Sequence, residues 1–347
     1  MEQLTSNIAI TGFACITAAG NGTEPALTAL LSGTSCLQPV PVELTGGRTA
    51  CWGRSVQFKA TEFIPPMKAR KLDRASQLSV AATGLALADA GIARGAVAPE
   101  RIGIAVGCGF GGIANSAEFL TGYFQSGVAG LAPLLFPNTV ANAAASNASI
   151  EHGVKGPNIT FIQRFCSAES AILAACRFIE EGRADLMLAG GVDDLTPLMM
   201  EGFTAMGQLN RSAAGFGEGA GMLVLEHAEH ARQRGATTRA LLRSIRSIGM
   251  LLPQARQQGI DRLLQGEQQC DRLMVSGVEQ AAAPLLEQIK AGTVQYPGHI
   301  IGQSLAMGAT SLGLLVRQLQ AGELGLHLSA SPQGPYYAIW VQGGSPA

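Results

Sequence analysis

The chain has 347 residues, of which 47% are hydrophobic and only 14% charged, with a net charge of −1 and a positive mean hydropathy. That balance excludes the basic footprint needed for nucleic acid or an anionic membrane surface. It also leaves little polar side chain to coat a monomer, so one whole face is expected to be covered by another subunit. No apolar run approaches ~18 residues, and Met1-Glu2-Gln3 is not the basic start of a signal peptide, so a soluble cytoplasmic protein without membrane insertion is expected. The seven cysteines show no CxxC pair or metal spacing and read as reduced, mostly buried small residues. Neither a metal nor another cofactor is expected.

In chain order, Ile8 to Gly12 is a strand into a glycine turn, followed by a helix through Ala26 to Leu31. Residues 33–66 carry Pro39, Pro41, Pro65 and Pro66 and read as a surface excursion. A long helix runs from Ser76 to Ala90 and closes on Gly91. Arg101 to Gly107 is a buried strand, and the glycines at 109, 111 and 112 turn it into a helix from Ile113 to Phe124. This cluster lacks the Lys-Ser/Thr ending of a phosphate loop and reads as a structural turn. Ile113, Ser116 and Leu120 share one stripe of that helix, read from their spacing as a core or interface stripe. Another helix starts after Phe136-Pro-Asn.

The stretch from Ile150 to Val192 organises the rest. A Lys-Gly-Pro turn releases a β-rich run, Ile159 to Ile162. An apolar set at Ala168, Ala171, Ile172, Ala175 and Phe178 then recurs with helical period. A second apolar run, Leu186 to Ala189, is expected to stop at Gly190-Gly191, leaving Asp193-Asp194 as an exposed loop pair. The pattern is strand, tight junction, buried helix, strand. The junction places a nucleophile, if there is one, at a helix N-terminus, where free N–H groups favour a thiolate.

This segment resembles the centre of the β-ketoacyl synthases, where a Gly-Pro-Asn turn and a strand lead to a catalytic Cys that opens a buried helix. The resemblance extends to the Leu72-Asp73-Arg74 helix, to Pro137-Asn138 and to Gly217-Glu-Gly-Ala-Gly221, covering roughly residues 5–235, and more weakly 295–320. It implies an α/β, thiolase-like fold: two βαβαβαββ-type halves forming an αβαβα layered body. The halves are read as 1–237 and 238–347, the C-terminal one trimmed.

The same resemblance places the nucleophile position on Phe165, with Cys166 one residue late. A step of one residue around a helix start turns a side chain by ~100°. The family's first His motif falls around Ser276 to Glu279, where there is no His. Its second falls on Gln303, with Gly298 at the lysine position. Gln cannot alternate protonation states near neutral pH, which is the reason for using His. The family's closing turn is replaced by 331–337, SPQGPYY. Catalytic residues are therefore expected to be absent, with Phe165, Gly298 and Gln303 as degenerate positions.

The resemblance thus points to a silent ketosynthase-like subunit, a chain-length factor (β subunit) of a type II polyketide or aryl polyene synthase. Such a subunit forms a heterodimer with an active ketosynthase and meets an acyl carrier protein bearing the growing chain. In those proteins the stripe matching Ile113, Ser116 and Leu120 lines the product tunnel, here fairly open. The strand before the nucleophile pairs across the dimer axis, making Phe161, Gln163 and Arg164 interface candidates. Two alternatives stay open: a diverged ketosynthase or acyltransferase using Cys166 with His299, and a structural or acyl-binding thiolase-like protein. Of the remaining histidines, His227 and His230 read as solvated, His152 as a helix cap, and His327 as a strand residue without an evident partner.

Overall fold

The computed structural model describes residues 2–4, 7–44, 46–208 and 215–344. The first part of the chain supplies β1 (Ile8–Thr17), α1 (Thr23–Ser32), α2 (Arg74–Asp89), β2 (Ile102–Cys108), α3 (Ile113–Ser126), α4 (Ala143–His152), β3 (Asn158–Ile162), α5 (Ser167–Glu180), β4 (Leu186–Asp193), α6 (Pro197–Ala205) and β5 (Gly219–His227). The second supplies α7 (Ala228–Gln233), β6 (Ala240–Ile248), α8 (Arg256–Leu264), β7 (Gln269–Gly277), α9 (Glu279–Leu286), β8 (Lys290–Gln295), α10 (Pro297–Ile301), α11 (Gly308–Val316), β9 (Leu324–Ala330) and β10 (Tyr336–Gly343).

These strands lie in the order β8-β7-β9-β10-β6-β1-β5-β4-β2-β3. Adding five to each label of β1-β5-β4-β2-β3 gives the order of the other half, so one topology occurs twice. The halves meet where Ala240–Leu242 of β6 runs antiparallel to Ile8–Ile10 of β1. Glu2–Leu4 adds a short strand along β6, and Gly20–Asn21 one along β1.

Each half-sheet is buried on both faces, which explains why its strands are apolar at nearly every position. Side chains alternate between faces with period two. In β4, Leu186, Leu188 and Val192 enter the cluster under α2 and α4, whereas Met187 and Ala189 face the central core. In β10, Tyr336, Ala338 and Trp340 enter the cluster under α8 and α9, whereas Tyr337, Ile339 and Val341 face the centre. The central layer holds α5 and α11. The result is the expected five-layer αβαβα arrangement. Ile172 and Ile179 of α5 are buried there, each contributing about 1.5–3 kcal/mol by leaving water.

Three expectations are corrected. β4 does not stop at Gly190-Gly191 but continues to Asp193. The glycines are required because a Cβ on Gly190 would strike Gly221 O, and one on Gly191 would strike Ala306 O. Asp193 and Asp194 are therefore buried, at 6% and 4% exposure, rather than a loop pair in water. The excursion at 33–66 is also not all surface: Cys51–Gly53 pairs with Gln38–Pro39 and Phe216–Gly217, and Trp52 is buried. Among the described residues, no helix is long and apolar enough to cross a membrane.

Candidate active site

The β3–α5 junction is held tightly by main-chain contacts. Ser167 Oγ accepts the Gln163 N–H at 2.8 Å and lies 2.7 Å from Arg164 O and 3.0 Å from Cys108 O. To make this turn the backbone enters the left-handed region at two non-glycine residues, Arg164 (φ 53°) and Cys166 (φ 77°). Such positions cost roughly 1–3 kcal/mol each and persist only where the surroundings enforce them.

Phe165 and Cys166 consequently make different contacts. The half-buried Phe165 packs both against the central core that includes Cys166 and against the apolar cluster formed by Trp52, Met199, Phe203, Phe216 and Leu305. Within that cluster the Phe203 and Phe216 rings stack at 4.0 Å, and Phe110 lies 5.8 Å from Phe203. Cys166 is buried and faces the C-terminal half instead. Its Sγ lies 3.1 Å from Ser329 Oγ and donates to Pro335 O at 3.3 Å. Burial, and then the Glu169 charge, push its thiol well above the ordinary range. The helix start does not produce a thiolate here, because desolvation outweighs the dipole.

Beneath Cys166 is a polar group 158 residues apart in sequence. Glu169 Oε1 accepts from His327 Nε2 at 3.0 Å and from Ser276 Oγ at 3.3 Å, and both Glu169 and His327 are fully buried. Burial alone would raise the Glu169 carboxyl, but the hydrogen bond and charge of His327, together with Ser329, hold it below the ordinary carboxylate range. Gly308 makes room for that carboxyl, since a Cβ there would overlap it. The expectation that His327 lacks a partner is therefore corrected. Glu169 is a site residue the pattern did not flag; its only signal is an acid inside an uncharged stretch of a buried helix. Beside it, Ser170 Oγ lies 2.7 Å from Tyr337 OH and bonds Gln163.

A second buried acid group sits nearby. Asp193 accepts from the N–H groups of Gly109 (2.6 Å) and Ala306 (2.7 Å) and from Ser304 Oγ (3.2 Å), tying the turn after β2 to the start of α11. Burial raises Asp193 to about 6. Burial, then Asp73, Asp193 and Glu218, raise Asp194 to about 7.

The other expected residues are dispersed. Gln303 is buried, with its Nε2 donating to Ser304 O at 2.8 Å, and Gly298 is buried in α10. His299 is half-exposed; it stacks on Tyr296 at 5.4 Å and pairs with Glu279, so it is not brought to Cys166. On α3, Ile113 packs against the Phe165 cluster, Ser116 Oγ bonds Gly112 O at 2.9 Å, and Leu120 is half-exposed. Phe161 packs on the central core and Arg164 is exposed, whereas Gln163 folds back to Ser170. His230 is not simply solvated, since its Nδ1 lies 2.8 Å from Glu226, and His152 Nε2 lies 2.8 Å from Val80 O. Among the described residues, no group of three or more His, Cys, Asp or Glu is placed to hold a metal ion.

Residues 5–231 match the family described as beta-ketoacyl synthase, N-terminal domain. The chain belongs to the beta-ketoacyl synthase family. It is similar to 3-oxoacyl-[acyl-carrier-protein] synthase 2 of Vibrio harveyi, 33% identical over 247 residues that cover 66% of this chain and 60% of that protein. The corresponding protein of Synechocystis sp. is 29% identical over 247 residues, covering 66% and 59%. The chain thus spans about 60% of the length of the curated relatives it matches.

Among solved structures, this beta-ketoacyl synthase family member is similar to the AntDE:AntF complex, a type II polyketide acyl carrier protein with its ketosynthase bound to the hexaketide. The TM-score is 0.82 at 20% identity, with 97% of this chain and 99% of that one covered. It is also similar to the ishigamide ketosynthase/chain length factor, with TM-score 0.78, 18% identity and the same coverage. These likenesses carry the fold, which is thiolase-like.

The environment of Cys166 has a direct consequence for this family member. With limiting iodoacetamide, peptide mapping of the native protein is expected to find Cys51 and Cys36, the exposed and half-exposed thiols, modified first. Cys166 should stay unmodified until unfolding; early alkylation of Cys166 would show that it is an available nucleophile.

Proposed function

We propose that this chain is a non-catalytic ketosynthase-like subunit, a chain-length factor that pairs with an active ketosynthase in a type II polyketide synthase. The observation that carries this reading is the β3–α5 junction. The aromatic Phe165 stands at the position that the family resemblance assigns to the nucleophile, and the adjacent sulfur is turned to a serine and a carbonyl rather than to an imidazole. A decarboxylating condensation needs a low-pKa thiol to hold the acyl chain and polarising groups for the malonyl carbonyl. Neither requirement is met at Cys166, and Gln303 offers only a fixed hydrogen bond.

The partner reading is supported by the exposed surface. Strand β3 is the sheet edge, and Ile162 at its end is 55% exposed. Phe124 (81%), Val128 (78%), Leu134 (80%) and Phe136 (62%) expose further apolar surface on and after α3. A face of this kind marks a protein interface. We place the product tunnel along α3 between the two subunits, with Leu120 exposed towards it, and the boundary between halves at residues 237/238. An acyl carrier protein bearing the growing chain is the further partner, by analogy with the AntDE:AntF complex, in which an acyl carrier protein is bound to its ketosynthase.

A second reading, a diverged β-ketoacyl-ACP synthase or acyltransferase acting through Cys166, is favoured by the 3-oxoacyl synthase names of the relatives. One experiment separates the two. Co-expressed with an intact ketosynthase, the chain should co-purify as a heterodimer, and Cys166→Ala in it should leave condensation within about twofold. The isolated chain should show no malonyl decarboxylation. Turnover by the isolated chain that disappears in Cys166→Ala would establish the second reading.

A further inference from the structure

A cleft of about 430 Å³ opens between the Gln38–Val56 excursion and the start of α2. Its polar lining consists of Arg54, Arg74, Gln38 and Ser55, rimmed by Pro39 and Val56, and no carboxylate is among its described lining residues. Arginine donates only, and the amide and hydroxyl both have donors to offer. Both guanidinium heads are held before anything binds: Arg54 lies 5.1 Å over the Trp52 ring and Arg74 lies 5.1 Å over Phe58. Preorganisation of this kind lowers the cost of binding.

The charge balance favours an anion. Glu218, fully buried behind the cleft, lies 2.7 Å from Arg74 and 3.8 Å from Arg54, so a single carboxylate faces two guanidinium groups. Its oxygens are also engaged by the N–H groups of Ser55 and Leu195. The acids nearby, Asp73 and Asp194, are buried and shifted towards their neutral forms, chiefly by desolvation. The Ser55 hydroxyl and Arg74 Nε are buried and have no hydrogen-bond partner among the described residues. Arg74 also opens the 16-residue α2, so the positive end of a helix dipole lies at the same spot.

We propose that this cleft binds a phosphate group, free or as a monoester, between the Arg54 and Arg74 guanidinium heads, with Gln38 and Ser55 as further donors. The cleft shares Trp52 with the cluster behind Phe165 but none of the junction's own residues, and it stands or falls independently of the partner reading. Two planar forks facing one tetrahedral acceptor group are the arrangement that selects phosphate over a halide.

Isothermal titration of the unmodified chain with inorganic phosphate and with phosphoethanolamine, against sodium chloride at matched ionic strength, tests this. Saturable binding of at least one phosphate, absent with chloride and weakened about tenfold or more by Arg54→Gln, is expected. Tighter binding of phosphoethanolamine assigns the site to an ester, and equal affinity assigns it to the free ion. Arg54→Lys, which keeps the charge but loses the fork, should fall between the two and serves if the glutamine variant misfolds. No saturable heat with either phosphate, or affinity unchanged in both Arg54 variants, would overturn the assignment.

Discussion

Glu169→Ala is expected to lower stability by about 3–5 kcal/mol, read as a fall in the urea midpoint at constant slope. The single change leaves the His327 imidazole buried without the carboxylate it faces at 3.0 Å, in a layer where water cannot replace it. His327→Leu should cost a similar amount, because the Glu169 carboxyl then keeps only serine partners. Replacing both by leucine removes the polar pair altogether, and apolar replacements of buried pairs are often near neutral. The double variant should therefore lose well under the sum of the singles, a coupling of at least 1–2 kcal/mol on the order measured for contacting residues. Gly308→Ala gives an independent check. Its methyl would overlap the Glu169 carboxyl, so it should be damaging alone and much milder in the Glu169→Ala background. Additive losses in both crosses would mean that the two halves are not pinned through this contact.

The pH dependence of stability should run opposite to ordinary acid denaturation over part of its range. Asp194 releases its proton near pH 3.9 when unfolded but at about 7 when folded, chiefly because it is buried, and then because Asp73, Asp193 and Glu218 repel its charge. Below pH 4 both states are protonated and nothing is lost. Between pH 4 and 7 the unfolded chain sheds the proton first, so stability falls as pH rises and levels off above 7. Asp193, at about 6, adds a smaller loss over pH 4–6. The ceiling for Asp194 is about 4 kcal/mol by linkage, and relaxation around the charge should reduce the observed value to about 1–3 kcal/mol. Glu169 and Glu226, both held below their ordinary values, act in the other sense and lose stability as pH falls. The difference between wild type and Asp194→Asn isolates the effect: the variant should gain stability relative to wild type as pH goes from 4.5 to 7.5. A difference curve that is flat over that interval would remove Asp194 as the source.

Much of the layered fold was legible because its helices and strands announce themselves locally. The period of α5 from Ala168 to Phe178 and the β-rich run at 159–162 both fall where the sequence pattern places them. The reading of Phe165 rested on the family resemblance, and in the structure its ring packs between the Trp52–Phe203–Phe216 cluster and the central core that holds Cys166. What escaped was long-range. Gly190-Gly191 has the composition of a turn, and only the approach of Gly221 and Ala306 reveals why a strand needs glycine there. Asp193 and Asp194 look like exposed loop residues until that strand is extended to Asp193, which carries both into the interior. The partnership of Glu169 with His327 depends on how the two halves stack, which no local pattern encodes.

Strand β3, at Asn158–Ile162, ends the sheet with one side of its main chain unpaired by any described neighbour. Amide and carbonyl groups in that state will template onto another extended segment, including the same strand in a sister molecule. Molecules made in surplus of whatever caps this edge would therefore stick to one another rather than wait in solution. Under the proposed pairing with a ketosynthase, matched supply of the two chains, rather than the intrinsic stability of either, would set how much usable assembly accumulates.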